Sequence, residues 1–139
     1  MTASPKTQPL KVILDSNAFF VPLEFKMDIF EELKTLLGRN IEFILLSPVK
    51  GELETLAAGD EPKLRRQASF ALRIAEKCKL VAIETHNEAT DDVIVRVAEG
   101  WGAPVFTNDR ILKQRLRDIS VPVIYLRQKS RLDIDGLIS

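Results

Sequence analysis

Histidine and cysteine are almost absent from this sequence, which has one of each among 139 residues. Cys78 has no partner for an internal disulfide, which is typical of a protein in a reducing compartment. Its spacing from Ala71 and Ala75 favours a buried position on a helix over a role as nucleophile. His86 and Cys78 lie apart in the sequence and lack the spacing of zinc ligands, which disfavours a zinc site. We expect His86 to be a solvated loop residue rather than a general base.

Long hydrophobic runs and known nucleotide or hydrolase motifs are also missing. No apolar run approaches the roughly 20 residues of a membrane span, and the polar N-terminus has no signal-peptide core. The motifs GxxxxGK[ST], GxGxxG and GxSxG do not occur, so phosphate-loop, dinucleotide and serine-hydrolase functions have no support. The sequence has 20 basic residues (Lys and Arg together) and 20 acidic residues (Asp and Glu together), so its net charge gives no general preference for nucleic acid. We expect a cytoplasmic protein without a membrane partner.

The apolar pattern predicts alternating strands and helices. Strands are expected at 11–14, 41–46, 80–84, 104–107 and 122–126, and helices at 28–38, from 47, at 60–78, at 90–100 and from 108 or 109. This alternation is typical of an α/β fold with a parallel sheet and helices on both faces. We expect residues 1–9 to be a flexible tail and 10–139 to be a single domain, with no firm assignment for 127–139.

Four acidic residues follow four of the apolar runs: Asp15, Glu52, Asp91 and Asp109. Parallel strands end at one edge of their sheet, where open α/β folds place their sites. Gathered carboxylates repel each other, and the usual reason to assemble them is a divalent cation with oxygen ligands. Each acid also has a simpler explanation, as a turn residue, a helix cap or an exposed helix residue. The prediction of a metal site therefore depends on all four lying together.

The charges are unevenly distributed around these acids. Residues 84–92 contain four acids and no Lys or Arg, whereas 110–131 contain seven basic residues and one aspartate. An acidic stretch followed by a basic one suits a metal centre beside a phosphate-binding surface, although both stretches could be solvated helix faces. The hydroxyls of Ser16 and Thr107 are candidates for positioning water or phosphate.

Four segments carry a family resemblance. VILDSNAFF, SPVKGELETL, TDDVIVRVA and VFTNDRILKQRL, in this order, closely resemble the PIN-domain nucleases. The similarity extends from about Lys11 to Leu126. The segment TNDRILKQRLRDISVPVIYLRQ is most similar to the archaeal and eukaryotic PIN proteins linked to ribosomal RNA processing, rather than to the toxin branch.

The resemblance implies a Rossmann-like three-layer α/β/α sandwich with a five-stranded, mainly parallel sheet. It also implies an endoribonuclease that depends on Mg²⁺ or Mn²⁺ and acts on RNA, with a homodimer left open. The implied catalytic and metal-binding residues are Asp15, Glu52, Asp91 and Asp109, with Asp92 as an alternative to Asp91. Ser16, Asn17 and Thr107 are assigned to water or phosphate positioning, and Arg110, Lys113 and Arg117 to RNA binding.

Three other functions remain open. The chain could be a non-catalytic RNA-binding or ribosome-assembly module, or a toxin-type PIN ribonuclease. It could also carry out phosphoryl chemistry on a small molecule or act as an aspartyl-phosphate switch. Both forms of phosphoryl chemistry are disfavoured. A phosphatase pattern needs a second aspartate at the position where Asn17 stands. A receiver domain needs a lysine at the end of the last strand, and Tyr125-Leu126-Arg127 does not provide it.

Overall fold

A computed structural model describes residues 8–138 of the chain. The predicted flexible tail lies mostly outside this range, so its flexibility stays a prediction, as does the single domain over 10–139. No helix within the described range is both long enough and apolar enough to cross a bilayer.

The described residues form six strands and six helices. The strands are β1 (Leu10–Leu14), β2 (Ile41–Leu46), β3 (Lys79–Val81), β4 (Val105–Phe106), β5 (Val123–Arg127) and β6 (Arg131–Asp135). The helices are α1 (Val21–Phe25), α2 (Ile29–Leu37), α3 (Ser47–Ala57), α4 (Pro62–Ala75), α5 (Thr90–Trp101) and α6 (Arg110–Asp118), and a 3₁₀ helix covers Ser16–Phe20. The alternation of strands and helices matches the α/β prediction.

One sheet contains all six strands in the order β3-β2-β1-β4-β5-β6. Strands β1 to β5 are parallel to their neighbours, and β6 is antiparallel to β5. The central strand β1 has Val12, Ile13 and Leu14 fully buried. An unbroken apolar run of this kind is typical of a parallel strand covered on both faces. Asp15 therefore lies directly after a buried central strand, at the carboxyl end of β1.

The prediction of five strands was wrong by one, because β6 lies in the segment that had no assignment. Strands β5 and β6 form a hairpin whose turn residues Gln128 and Lys129 have φ angles of 53° and 58°. Hairpin turns favour this left-handed backbone, usually with glycine or asparagine. Because neither residue stands here, the local sequence did not indicate the turn.

Some helices begin at a residue whose side chain caps them, and others do not. Asp28 accepts hydrogen bonds from the backbone N–H groups of Phe30 and Glu31 at the start of α2, and Gly38 ends that helix with a φ of 62°. Ser47 and Thr90 are the first residues of α3 and α5 rather than their caps, and the N-cap positions are occupied by Leu46 and Ala89. The Ser47 hydroxyl instead accepts a hydrogen bond of 3.0 Å from the Ile83 N–H, which connects α3 to the chain after β3.

Three large apolar residues in or next to α5 and α6 are exposed. Ile111 is 76% exposed, and Trp101 and Ile119 are also exposed. The buried face of α6 is formed by Leu112 and Leu116, four residues apart on one side of the helix. Ile111 precedes this face by one residue, which rotates its side chain by about 100° toward solvent.

Candidate active site at the carboxyl edge of the sheet

The carboxyl ends of β1 and β4 lie side by side because these strands pair through Ile13 with Val105 and Leu14 with Phe106. Asp15 follows β1, and Thr107 follows β4. Helix α3 begins directly after β2, on the other side of β1, and carries Glu52. The parallel register thus brings three of the predicted site residues to one edge.

Asp15 is the most deeply placed acid of this edge, with 4% of its surface exposed. Its Oδ1 accepts a hydrogen bond of 2.8 Å from the Ser16 N–H. Its Oδ2 accepts one of 2.7 Å from the Thr107 hydroxyl and one of 3.1 Å from the Asn17 side-chain amide. A buried carboxylate needs such donors, because burial without partners is costly. These bonds fix the orientation of the carboxylate.

Asn17 and Thr107 link the loops after β1 and β4. The fully buried Thr107 accepts a hydrogen bond of 3.1 Å from the Asp109 N–H, and Asn17 Oδ1 accepts one of 3.0 Å from the Asn108 N–H. Asn108 Oδ1 in turn accepts one of 2.7 Å from the Leu126 N–H at the end of β5. Asn108 was not among the predicted site residues, although its position just after an apolar strand is the signal that could have identified it.

The acids of this edge interact electrostatically. Burial raises the pKa of Asp15, with smaller contributions from the charges of Asp91 and Asp109, while hydrogen bonds from Thr107 and Ser16 oppose the rise. The pKa of Glu52 is also raised, first by partial burial and then by Asp15 and Asp91, against hydrogen bonds from Ser16 and Thr90. The charges of the neighbouring acids therefore disfavour the ionised forms of Asp15 and Glu52.

Asp91 belongs to the same group, whereas its neighbour Asp92 has a different partner. The pKa of Asp91 is raised by partial burial and by the charges of Asp109 and Asp92, and lowered by Arg115. Asp92 is exposed and accepts a 2.8 Å hydrogen bond from Arg115. Of the two alternatives in the sequence, Asp91 is thus the one that interacts with Asp15, and Asp92 forms an ion pair at the surface.

Asp109 caps α6 and faces the other acids at the same time. Its Oδ1 accepts hydrogen bonds from the N–H groups of Ile111 and Leu112, at 2.8 and 3.0 Å. The capping explanation of this residue is therefore correct, yet its charge still raises the pKa of Asp15 and Asp91. Both bonds go to a single carboxylate oxygen, so capping does not use the whole side chain.

The donor chemistry of the edge fits a divalent cation, although the side chains do not form a closed ligand set. Within residues 8–138, no three Asp, Glu, His or Cys side chains lie close enough to hold an ion as they stand. The acids are near enough for neighbouring charges to raise the pKa values of Asp15, Glu52 and Asp91, and their oxygens are the ligands that Mg²⁺ and Mn²⁺ prefer. Carboxylates that repel each other are expected to lie apart until a cation draws them together.

The three basic residues assigned to RNA binding differ in their surroundings. Arg110 is exposed at the start of α6. Lys113 Nζ lies 3.6 Å from the centre of the Tyr125 ring and 3.7 Å from Asp135. Arg117 Nε lies 3.2 Å from Asp135 on β6. Two of the three therefore already contact the β5–β6 hairpin, which the sequence analysis did not foresee.

Comparisons with known proteins agree with this architecture. A family model described as "PIN like domain" matches residues 12–129. The chain is 30% identical to Ribonuclease VapC4 of Methanocaldococcus jannaschii over 130 residues, which cover 92% of this chain and 98% of that protein. It is 30% identical to Ribonuclease VapC9 of Archaeoglobus fulgidus over 125 residues, covering 90% and 89% of the two chains.

Two further relatives connect the chain to other named proteins. The rRNA-processing protein fcf1 of Schizosaccharomyces pombe is 35% identical over 120 residues, which are 84% of this chain but 58% of that protein. The solved structure of the PIN domain endonuclease Utp24 has a TM-score of 0.75 and 30% identity, and the match covers 94% of each chain.

Proposed function

Because the chain belongs to the PIN-like domain family, we propose that it is a divalent-metal-dependent endoribonuclease that hydrolyses RNA phosphodiester bonds. Relatives named ribonuclease and endonuclease match nearly the whole chain, which supports a nuclease. The single observation that carries the metal dependence is the buried carboxylate of Asp15 at the carboxyl edge of a parallel sheet, where the charges of Asp91 and Asp109 reach it and its own charge reaches Glu52.

The residues proposed to hold Mg²⁺ or Mn²⁺ are Asp15, Glu52, Asp91 and Asp109. A bound divalent cation supplies a hydroxide nucleophile from water at neutral pH and neutralises charge on the phosphate. The chain itself supplies orientation. Thr107 and Asn17 hold the Asp15 carboxylate by hydrogen bonds, and the Ser16 hydroxyl interacts with Glu52. Exposed Arg110, beside Asp109, is placed to attract the phosphate backbone.

The RNA substrate has two candidate classes. The similarity to fcf1 favours ribosomal precursor RNA, and we propose this class first. The matches to the VapC ribonucleases extend over nearly their full length and favour the toxin-type ribonuclease as the alternative. A homodimer remains open under either proposal. Comparing the cleavage of ribosomal precursor RNA with that of an unrelated messenger RNA of equal length separates the two classes.

A cleavage assay tests the proposed activity. End-labelled RNA is incubated with the protein in Mg²⁺, in Mn²⁺ and in chelator, in parallel with Asp15→Asn and Asp118→Asn. Asp118 is an exposed aspartate at the end of α6 and serves as the matched control. We expect cleavage that requires the metal, that Asp15→Asn lowers by about a hundredfold or more and that Asp118→Asn leaves unchanged. Absence of cleavage in every metal would favour a non-catalytic RNA-binding module, and equal cleavage in chelator would contradict the metal dependence.

A further inference from the structure

A cavity of about 620 Å³ opens beside the acidic edge, between the start of α3 and the residues that lead into α5. Ser16 and Glu52 belong to both the cavity and the edge, since Glu52 interacts with Asp15 and with the Ser16 hydroxyl. A group bound in the cavity would therefore touch the proposed reaction site. For an RNA whose phosphate lies at the acids, we expect the neighbouring nucleotide to meet this cavity, because Ser16 and Glu52 are common to both.

The lining of the cavity has the chemistry of a site for a neutral group. Of the residues that line it, all within the described range, none is Lys, Arg or His. Thr85 and Thr90 present hydroxyls, and Pro48 and Leu56 present apolar surface. A phosphate needs cationic or N–H donors, which such a lining does not concentrate. A nucleobase offers a planar apolar face together with N–H and carbonyl groups at its rim, which matches apolar walls with a few hydroxyls.

The two glutamates of the lining do not make it a site for a cationic side chain. The Glu88 carboxylate is already paired with Arg96, through bonds of 2.7 and 3.1 Å. The charge of Glu52 faces Asp15, where the proposed metal would neutralise it. A guanidinium or ammonium group from a protein partner would thus find little uncompensated negative charge, whereas the rim of a base can form hydrogen bonds with the hydroxyls of Thr85 and Thr90.

Gly51 gives an independent indication that this space is used. It lies within α3, where glycine is less favourable than alanine. Its backbone is not left-handed, and a Cβ added to it meets nothing within 4 Å. Neither conformation nor packing therefore requires glycine here. Since Gly51 lines the cavity, a side chain at this position would occupy the open space.

We propose that this cavity, with Gly51 as its open wall, binds one base of the RNA substrate next to the scissile phosphate. The proposal rests on the proposed ribonuclease function, because it takes RNA as the ligand. It adds a recognition site on the β2 side of β1, opposite the loop after β4 that carries Arg110. The cleaved strand would then cross the carboxyl edge of the sheet from the base site, past the acids, toward α6.

The test combines a filled cavity with a missing base. The filled variant is Gly51→Leu, and the matched control is Gly100→Leu, another glycine within a helix whose added Cβ meets nothing within 4 Å and which does not line this cavity. The RNA set consists of a short strand with one mapped cleavage site and copies in which single nucleotides near that site are abasic. Both kcat/KM for cleavage and the Kd by fluorescence anisotropy are measured, the latter in the Asp15→Asn background so that the RNA stays intact.

We expect removal of one particular base to lower kcat/KM of the parent and of Gly100→Leu by about tenfold. Gly51→Leu should cut the intact RNA about tenfold more slowly than the parent and should not respond further to that abasic position. Circular dichroism melts of all variants verify that they are folded. Cleavage with the same abasic response in the parent and in Gly51→Leu would overturn the base site while leaving the ribonuclease standing.

The binding measurement separates the two proposals. A Gly51-dependent loss of affinity at one abasic position, without cleavage by the parent, would reject the ribonuclease and retain the base site. Tight binding of a tri-arginine peptide that Gly51→Leu weakens, together with no abasic effect, would assign the cavity to a cationic partner and overturn the proposal.

Discussion

Asp15 and Glu52 lie at the same edge of the sheet on different kinds of scaffold. Asp15 leaves the fully buried strand β1 and receives three hydrogen bonds from Ser16, Asn17 and Thr107. Glu52 stands on the exposed side of the first turns of α3. We call the first group, Asp15 with Asn17 and Thr107, the inner half of the site. Glu52 and Asp91, on helices α3 and α5, form the outer half.

The difference separates what is preorganised from what remains adjustable. The inner half is held by loops that follow paired strands, so its carboxylate has a fixed direction before any cation binds. The outer half depends on side chains that are partly solvated and that repel the inner carboxylate. A cation would therefore find Asp15 fixed and Asp109 held by its capping bonds, and it would have to draw Glu52 and Asp91 toward it. Preorganising one ligand lowers the entropy cost of binding, and the remaining repulsion keeps affinity dependent on the charge of the ion.

The largest expected effect is the stabilisation of the parent by Mn²⁺. A metal that binds only the folded state at about a hundred times its Kd adds about 2.7 kcal/mol to the free energy of unfolding. Asp15→Asn should reduce this gain to less than about 1 kcal/mol, because it removes the preorganised charged ligand. Thermal melts with Mn²⁺ and with chelator measure both proteins, and equal shifts would show that Asp15 is not a ligand.

The same melts resolve the two candidate aspartates at the start of α5. Asp92→Asn should keep the full metal shift, since Asp92 pairs with Arg115, whereas Asp91→Asn should lose much of it. The reverse pattern would make Asp92 the ligand and would mean that its pair with Arg115 opens when the cation binds.

Removing the Thr107 hydroxyl should have the next largest effect and should act on the inner half alone. Thr107→Val keeps the shape but leaves the buried Asp15 and the Asp109 N–H each without one partner. We expect a loss of about 1–3 kcal/mol in the free energy of unfolding. Thr35→Val, at an exposed position of α2, is the control and should change it by less than about 0.5 kcal/mol. Urea titrations measure both. A Thr107→Val protein as stable as the control would show that the inner half is not held as the hydrogen bonds indicate.

The sequence predicted the placement of the acids because that placement follows from topology. Runs such as KVIL and IEFILL are long enough in apolar residues to be buried strands, and parallel strands end at one edge. The position of Asp15 therefore required no knowledge of side-chain packing. The charges of Asp91 and Asp109 act on the Asp15 carboxylate, as a common edge requires.

The remaining features depend on tertiary contacts that leave no local signal. The contact of Lys113 and Arg117 with Asp135 exists only because β6 returns antiparallel to β5, through a turn without glycine. The hydrogen bond between Thr107 and Asp15 joins residues 92 positions apart in the chain. Ile111 is apolar yet exposed, because the rotation of α6 is decided by which face packs against β5.

Without metal, acidity should affect the two halves in the same direction. The pKa values of Asp15, Glu52 and Asp91 are all raised in the folded state, each first by burial. The folded state then binds more protons than the unfolded state above the ordinary aspartate pKa of 3.8, so stability falls as pH rises toward the raised values. Asp15→Asn removes one of these groups. In chelator at neutral pH its free energy of unfolding should exceed that of the parent by about 1 kcal/mol. The loss of a carboxylate acceptor for Ser16 or Asn17 reduces this gain.

Denaturant melts from pH 4 to pH 8 in chelator, made on both proteins, measure this difference. The gap between the parent and Asp15→Asn should widen as pH rises. Parallel stability curves would mean that Asp15 titrates equally in the folded and unfolded states, which would contradict its burial beside other charges.

The smallest expected effect concerns the basic residues of α6, which extend the comparison from the acids to the RNA. Each lost phosphate contact lowers the slope of log Kd against log salt by about one unit for a duplex and somewhat less for a single strand. Arg110→Ala should show this change, because Arg110 is exposed beside Asp109. Lys113→Ala should change the slope by much less, because Lys113 Nζ already lies against Tyr125 and near Asp135. RNA titrations at several salt concentrations, in the Asp15→Asn background, compare the two variants.

Equal slopes for both variants would mean that RNA draws Lys113 away from the hairpin. No change of slope in either variant would place the RNA path on another side of the acids.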